Sequence, residues 1–149
     1  MTFTPSGSLS RRRLVAVTAL APLAARARTA ARVFERPIPS SGEPLPVIGL
    51  GSLITFNVGN DARARAQCAA VVKAFLEGGG RLIDSSPMYG SSQPVIGHAL
   101  SLLGHPAALY AAEKVWTGSA ERGPAQIEAS RAHWGVPRFD LMQVHNLLA

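Results

Sequence analysis

Four short apolar runs punctuate this chain, and longer segments with helical spacing lie between them. Val47-Ile48-Gly49-Leu50-Gly51 closes on Ser52, and Arg81-Leu82-Ile83 closes on Asp84. Leu109-Tyr110-Ala111-Ala112-Glu113 closes on Lys114, and Phe139-Asp140-Leu141-Met142-Gln143-Val144 on His145. Short apolar runs bounded by Gly and Pro, alternating with helical patterns, predict parallel strands joined by helical crossovers. The closing residues are 32, 30 and 31 positions apart. A period of about 31 residues, one strand and one helix each, is the pitch of an eight-fold βα barrel of roughly 250 residues. The fold class is therefore α/β, a (β/α)8 TIM barrel.

The segments between the runs carry helix signals. Asp61 is a candidate N-cap for a helix whose Cys68, Val71, Val72 and Phe75 form one apolar face, with Gly78-Gly79-Gly80 as its stop. Pro94 is expected at the first position of a second helix, with Val95, Ala99, Leu102 and Leu103 inward and Gly104 at the end. Pro124 opens a third, running through Ile127, Arg131 and Trp134 to Gly135. Upstream, Arg36-Pro37-Ile38-Pro39 and Pro44-Leu45-Pro46-Val47 flank a turn at Gly42. That predicts a hairpin whose prolines fit edge strands, where a missing N–H does no harm.

Charge changes the picture only at the front. The chain has 149 residues and a formal charge of +6, which taken alone would point to a polyanion partner. Arg11, Arg12, Arg13, Arg26, Arg28 and Arg32 all precede the first acid, Glu35, and the remaining nine basic side chains balance nine acids. A nucleic-acid partner is not expected. Ser10-Arg11-Arg12-Arg13-Leu14-Val15 resembles a twin-arginine export motif, and the weakly apolar stretch from Leu14 to Ala25 is shorter than the about 20 residues a bilayer span needs. Ala25-Arg26-Ala27 offers a small-x-small cleavage site. Residues 1–32 are thus expected to be an export leader and 33–149 the body, destined for the periplasm or the exterior. Membrane contact would then be transient, through the export machinery. A disordered basic tail or an organelle transit segment is the alternative. The single cysteine, Cys68, rules out an intramolecular disulfide.

The candidate chemistry sits at the strand ends, where such barrels carry it. A ketone accepts hydride poorly until its oxygen is protonated or polarised. A phenol is a suitable acid but yields its proton reluctantly, and a neighbouring ammonium eases that loss by stabilising the phenolate. A carboxylate keeps the ammonium charged and aimed. Tyr89 is then the proton donor, Lys114 its tuner and Asp84 the partner of Lys114, while the His145 imidazole orients the carbonyl.

The wording Asp84-Ser85-Ser86-Pro87-Met88-Tyr89-Gly90, Glu113-Lys114-Val115-Trp116 and Asp140-Leu141-Met142-Gln143-Val144-His145-Asn146 resembles the front half of an aldo-keto reductase. The likeness runs from about Arg36 to Leu147. It implies the same four catalytic roles and the hairpin as a plug at the barrel's bottom. It also implies a nicotinamide cofactor, NADPH with NADH as an alternative, and a small aldehyde or ketone as substrate. Gly51 and Ser52 would approach the nicotinamide and its ribose, joined by Asp84 and Asn146, and Trp116 with His145 would wall the substrate pocket. Gln93 stands where relatives often have Glu. Four strand ends out of eight lead us to expect a barrel truncated to about its first four βα units. Self-association or pairing with a separate C-terminal half would complete it, and a non-catalytic half-barrel or interaction module is the alternative. No Gly-x-Gly-x-x-Gly or Gly-Lys-Ser/Thr motif is present, and His98, His105 and His133 lack metal-ligand spacing, so no metal is expected.

Overall fold

A computed structural model describes residues 33–146, and the expected leader at 1–32 lies outside them. The chain enters through a two-stranded antiparallel hairpin, β1 (Glu35–Pro37) and β2 (Pro44–Pro46), in the register Glu35↔Pro46, Arg36↔Leu45 and Pro37↔Pro44. Its turn is closed by the amides of Ile38 on Glu43 O and of Gly42 on Ile38 O, both at 2.8 Å. Gly42 takes φ 74°, a conformation in which a Cβ would be strained. Arg81 fastens the hairpin to the rest of the molecule. Its Nη1 donates to Pro44 O, its Nη2 to Glu43 Oε1 and its Nε to Ala108 O, at 2.7–2.9 Å.

The second sheet has four parallel strands in sequence order: β3 (Leu50–Gly51), β4 (Leu82–Asp84), β5 (Tyr110–Val115) and β6 (Leu141–Val144). Three helices connect them: α1 (Ala62–Glu77), α2 (Ser92–Leu102) and α3 (Gly123–Trp134). Successive strands pairing in parallel through helical crossovers is the barrel connectivity that the 31-residue period predicts. The described residues thus supply four strands of the parallel sheet and three α-helices connecting them.

The strands' two-residue period divides the molecule. Ile83 and Ala111 point to the helices and join Val72, Val95, Ile96, Ala99, Leu100 and Trp134 in the core, all fully or almost fully buried. The alternate positions, Asp84 and Lys114, fall on the other face, which keeps these two charges out of the apolar core. A Cβ built at Gly97 would overlap the carbonyl oxygen of His133, so α2 and α3 pack backbone to backbone at that point.

Several boundaries and faces differ from expectation. β3 begins only at Leu50, and Val47 and Ile48 are exposed outside it. Val47 N–H instead extends the hairpin by donating to Phe34 O, so the parallel ladder starts where Leu50 meets Ile83. Asp61 caps α1 through Oδ1, accepting the Ala64 amide at 2.7 Å, but Val71 is exposed while Ala69 is buried. The buried set Cys68, Ala69 and Val72 centres the inward face about 100° away from Val71. Pro94 occupies the third position of α2, still within the first turn, where its missing N–H costs nothing. Leu102 is exposed, and Ile96, Gly97 and Leu100 are buried in addition to Val95 and Ala99. α2 lies between α1 and α3 and also meets the sheet through Gln93, Val95 and Ile96, so most of its circumference is covered.

Candidate active site

The parallel ladder lines up the strand ends. Ser52 N–H donates to Asp84 O, Ser85 N–H to Ala112 O and His145 N–H to Val115 O, at 2.9–3.1 Å. With Asp84 paired to Ala112 and Lys114 to Gln143, side chains from four separated segments reach one rim.

Lys114 is the hub. Its Nζ lies 2.5 Å from Asp84 Oδ1 and donates to Ser85 O at 2.9 Å. The pair is partly buried, with 14% of the Lys114 side chain and 30% of Asp84 exposed, so solvent screens it incompletely. The same ammonium stands 5.3 Å from the centroid of the Tyr89 ring. Tyr89 in turn meets His145 edge to face, with ring centroids 5.7 Å apart at 88°. All four residues expected to carry the chemistry are therefore brought together. The arrangement can donate a proton from the Tyr89 hydroxyl, with the ammonium near the ring to offset the negative charge left behind.

The remaining expected residues divide. Gly51 faces open space, with nothing within 4 Å of a built Cβ. Ser52 is fully buried. Its N–H and C=O are taken by Asp84 and Ser92, and its hydroxyl is without a partner among the described residues. Asn146 is exposed at φ 56°, its Nδ2 3.7 Å from Met88 Sδ. Trp116 is 45% exposed and stands outside the cluster of four. The Gln126 side chain clamps its peptide group, accepting from Trp116 N–H and donating to Trp116 O at 2.6 Å each.

Several supporting residues were not singled out from sequence. Asn57 Oδ1 accepts both the amide and the hydroxyl of Ser91, latching the loop after β3 to the loop after β4. Ser86 Oγ lies 2.7 Å from His145 Nδ1. Behind Lys114, on the helix side of β5, Glu113 is fully buried. It accepts from the Lys114 amide at 2.8 Å and from Gln93 Nε2 and Trp134 Nε1 at 2.9 Å each. Gln93 also donates to Ser130 Oγ at 2.8 Å. Burial raises the Glu113 pKa above the ordinary carboxylate value, and these hydrogen bonds with the Lys114 charge only partly oppose it. A glutamate inside an apolar strand run is a legible sign that partners exist, whereas which partners it finds is not legible from spacing.

Comparisons with known proteins bear on the family and the fold. A family model described as the Aldo/keto reductase family matches residues 47–148. Methylglyoxal reductase YeaE of Escherichia coli (strain K12) is 31% identical over 103 residues, 68% of this chain and 35% of that protein. A Pseudomonas aeruginosa protein assigned to the aldo-keto reductases shares the fold at a TM-score of 0.65 and 23% identity, over 79% of this chain and 49% of that one. An aldo-keto reductase from Klebsiella pneumoniae, solved in complex with NADPH, gives 0.61 and 21%, over 76% of this chain and 40% of that one. The chain spans about a third of the curated relative and under half of each of these structures.

Proposed function

The chain belongs to the aldo/keto reductase family, and from that premise we propose that it contributes the catalytic wall of an NADPH-dependent reductase of small aldehydes or ketones. The observation that carries this is the chain of contacts from Asp84 through Lys114 and Tyr89 to His145. The mouth fits the nicotinamide end of such a cofactor, because Gly51 leaves its space open and Asn146 presents an exposed carboxamide. Asp84 lies between them at the rim. Reduced nicotinamide, when bound, supplies the hydride. NADPH is favoured over NADH by the solved relative that binds it.

The geometry supports a protein side of the reaction with four parts. His145 and Tyr89 would hold the carbonyl oxygen between them, polarising it and exposing the carbon to hydride. Tyr89 then gives its hydroxyl proton to that oxygen, and hydride plus proton complete the alcohol. Lys114 stabilises the phenolate left behind, and Asp84 holds Lys114 in place. Trp116, exposed on the rim, would wall the substrate.

The test is NADPH oxidation over a panel of aldehydes by the chain joined to the second half of a family member. Tyr89→Phe should lower turnover by about two to four orders of magnitude while leaving cofactor binding intact, and Lys114→Met should be nearly as severe. A Tyr89→Phe enzyme within tenfold of its parent would sink the assignment. A non-catalytic interaction module is the second proposal, favoured by the open exposure of β6. Periplasmic or secreted placement is a further proposal, carried by Ser10-Arg11-Arg12-Arg13, and replacing Arg11 and Arg12 by Lys should abolish export of a fused reporter.

A further inference from the structure

Ser86 follows β4 by two residues and is fully buried, and its Oγ meets two groups. It accepts the Met88 amide at 3.2 Å and lies 2.7 Å from His145 Nδ1. The Met88 contact uses a lone pair and leaves the hydroxyl proton to be placed. Buried hydroxyls find acceptors, and among the described residues Nδ1 is the acceptor within reach. If Nδ1 carried the proton instead, it would donate to Oγ and the serine's own proton would be stranded in the interior. His145 Nε2 makes no hydrogen bond among the described residues, so the ring's other end remains available.

We propose that Ser86 is a positioning residue that holds His145 in the tautomer with its proton on Nε2. The consequence lies in what the ring can offer a carbonyl. An Nε2–H donates to the carbonyl oxygen and orients it, whereas an unprotonated Nε2 would set one lone pair against another. Which nitrogen of a histidine is protonated follows from the hydrogen bond made by the other. The sequence places these partners 59 positions apart, and the parallel ladder from β4 through β5 to β6 unites them.

The inference rests on the reading of His145 as the carbonyl's donor, but its test needs neither cofactor nor turnover. Failure of one is therefore distinguishable from failure of the other. The ring nitrogens of His145 are read by 15N NMR in the full chain, at a pH where the ring is neutral, and assigned by their loss in His145→Asn. Nδ1 should resonate in the range of an unprotonated nitrogen accepting a hydrogen bond, and Nε2 in the range of a protonated one. Ser86→Ala removes one oxygen from a packed site and should keep the fold, yet both resonances should move toward tautomer-averaged positions. Ser86→Thr, which retains the hydroxyl, should restore the parent pattern. A protonated Nδ1 in the unmodified chain would overturn the proposal, as would an unchanged pattern in Ser86→Ala. Should the threonine methyl not fit, those two measurements decide alone.

Discussion

Glu113 and Lys114 are neighbours in sequence, face opposite sides of β5, and hold their charges under different conditions. Lys114 meets Asp84 at a partly open rim, while Glu113 is enclosed among Gln93, Trp134 and its own neighbour's amide. Burial raises the Glu113 pKa, so folding favours its protonated form. The linked stability is fully present below the ordinary carboxylate range and is lost as pH rises through the raised folded value. Glu113→Gln should remove that pH-dependent loss. It should also add a constant cost of about 1–3 kcal/mol, since its amide nitrogen must face one of three donors. Urea unfolding of both proteins from about pH 4 to pH 7 reads the difference, and parallel stability curves would refute it. At this scale the sequence reveals residues whose chemistry is unusual for their position. Asp84, Lys114 and His145 each end an apolar run, and Tyr89 follows in the same motif. Ser86 is invisible by the same standard, because a serine in a loop is ordinary until its distant partner is known.

The elements themselves follow closely from local signals. The Asp61 cap, the Gly42 turn and the Gly135 stop at φ 67° each occur where the sequence places them. Faces are harder. A helix packed on one side buries one stripe, and α1 largely obeys that rule, whereas α2 is covered by two helices and a sheet. Its burial therefore depends on neighbours that periodicity does not describe. Gly97 records the closest of these approaches. Gly97→Ala should gain about 0.5–1 kcal/mol of helix preference but meet the His133 carbonyl, and overpacking costs about 1–3 kcal/mol or more. Steric conflict with backbone cannot be relieved by turning a side chain, so a net loss is expected. Thermal unfolding checks it, and a raised Tm would show that α2 and α3 separate easily.

At the scale of the molecule, the parallel sheet has two ends. β6 is exposed along its length, with Leu141, Met142 and Val144 at 38%, 37% and 59%, and among the described residues no strand pairs beyond it. Exposed apolar edges are templates for pairing. We propose that the β6 edge accepts a further strand, so the 149-residue chain taken by itself should self-associate. Size-exclusion chromatography with light scattering tests this, and a cooperative monomer at high micromolar concentration would contradict it. The period of 31 residues made the barrel legible, because each repeat reports its own strand. What covers an edge is a property of partners, so no such period reports it. The hairpin shows a different kind of attachment. Arg81 ties it down through one carbonyl, Pro44 O, and one half-exposed carboxylate, Glu43, while its Nε holds Ala108 O on the sheet side, so this joint is electrostatic and touched by water. Ionic strength should loosen that joint while leaving the apolar interior unchanged. In high salt the amide protons of Ile38 and Val47 should exchange with solvent faster, while those of Ile96 and Leu100 keep their rate, so the entrance to the chain behaves as a latch with its own clock.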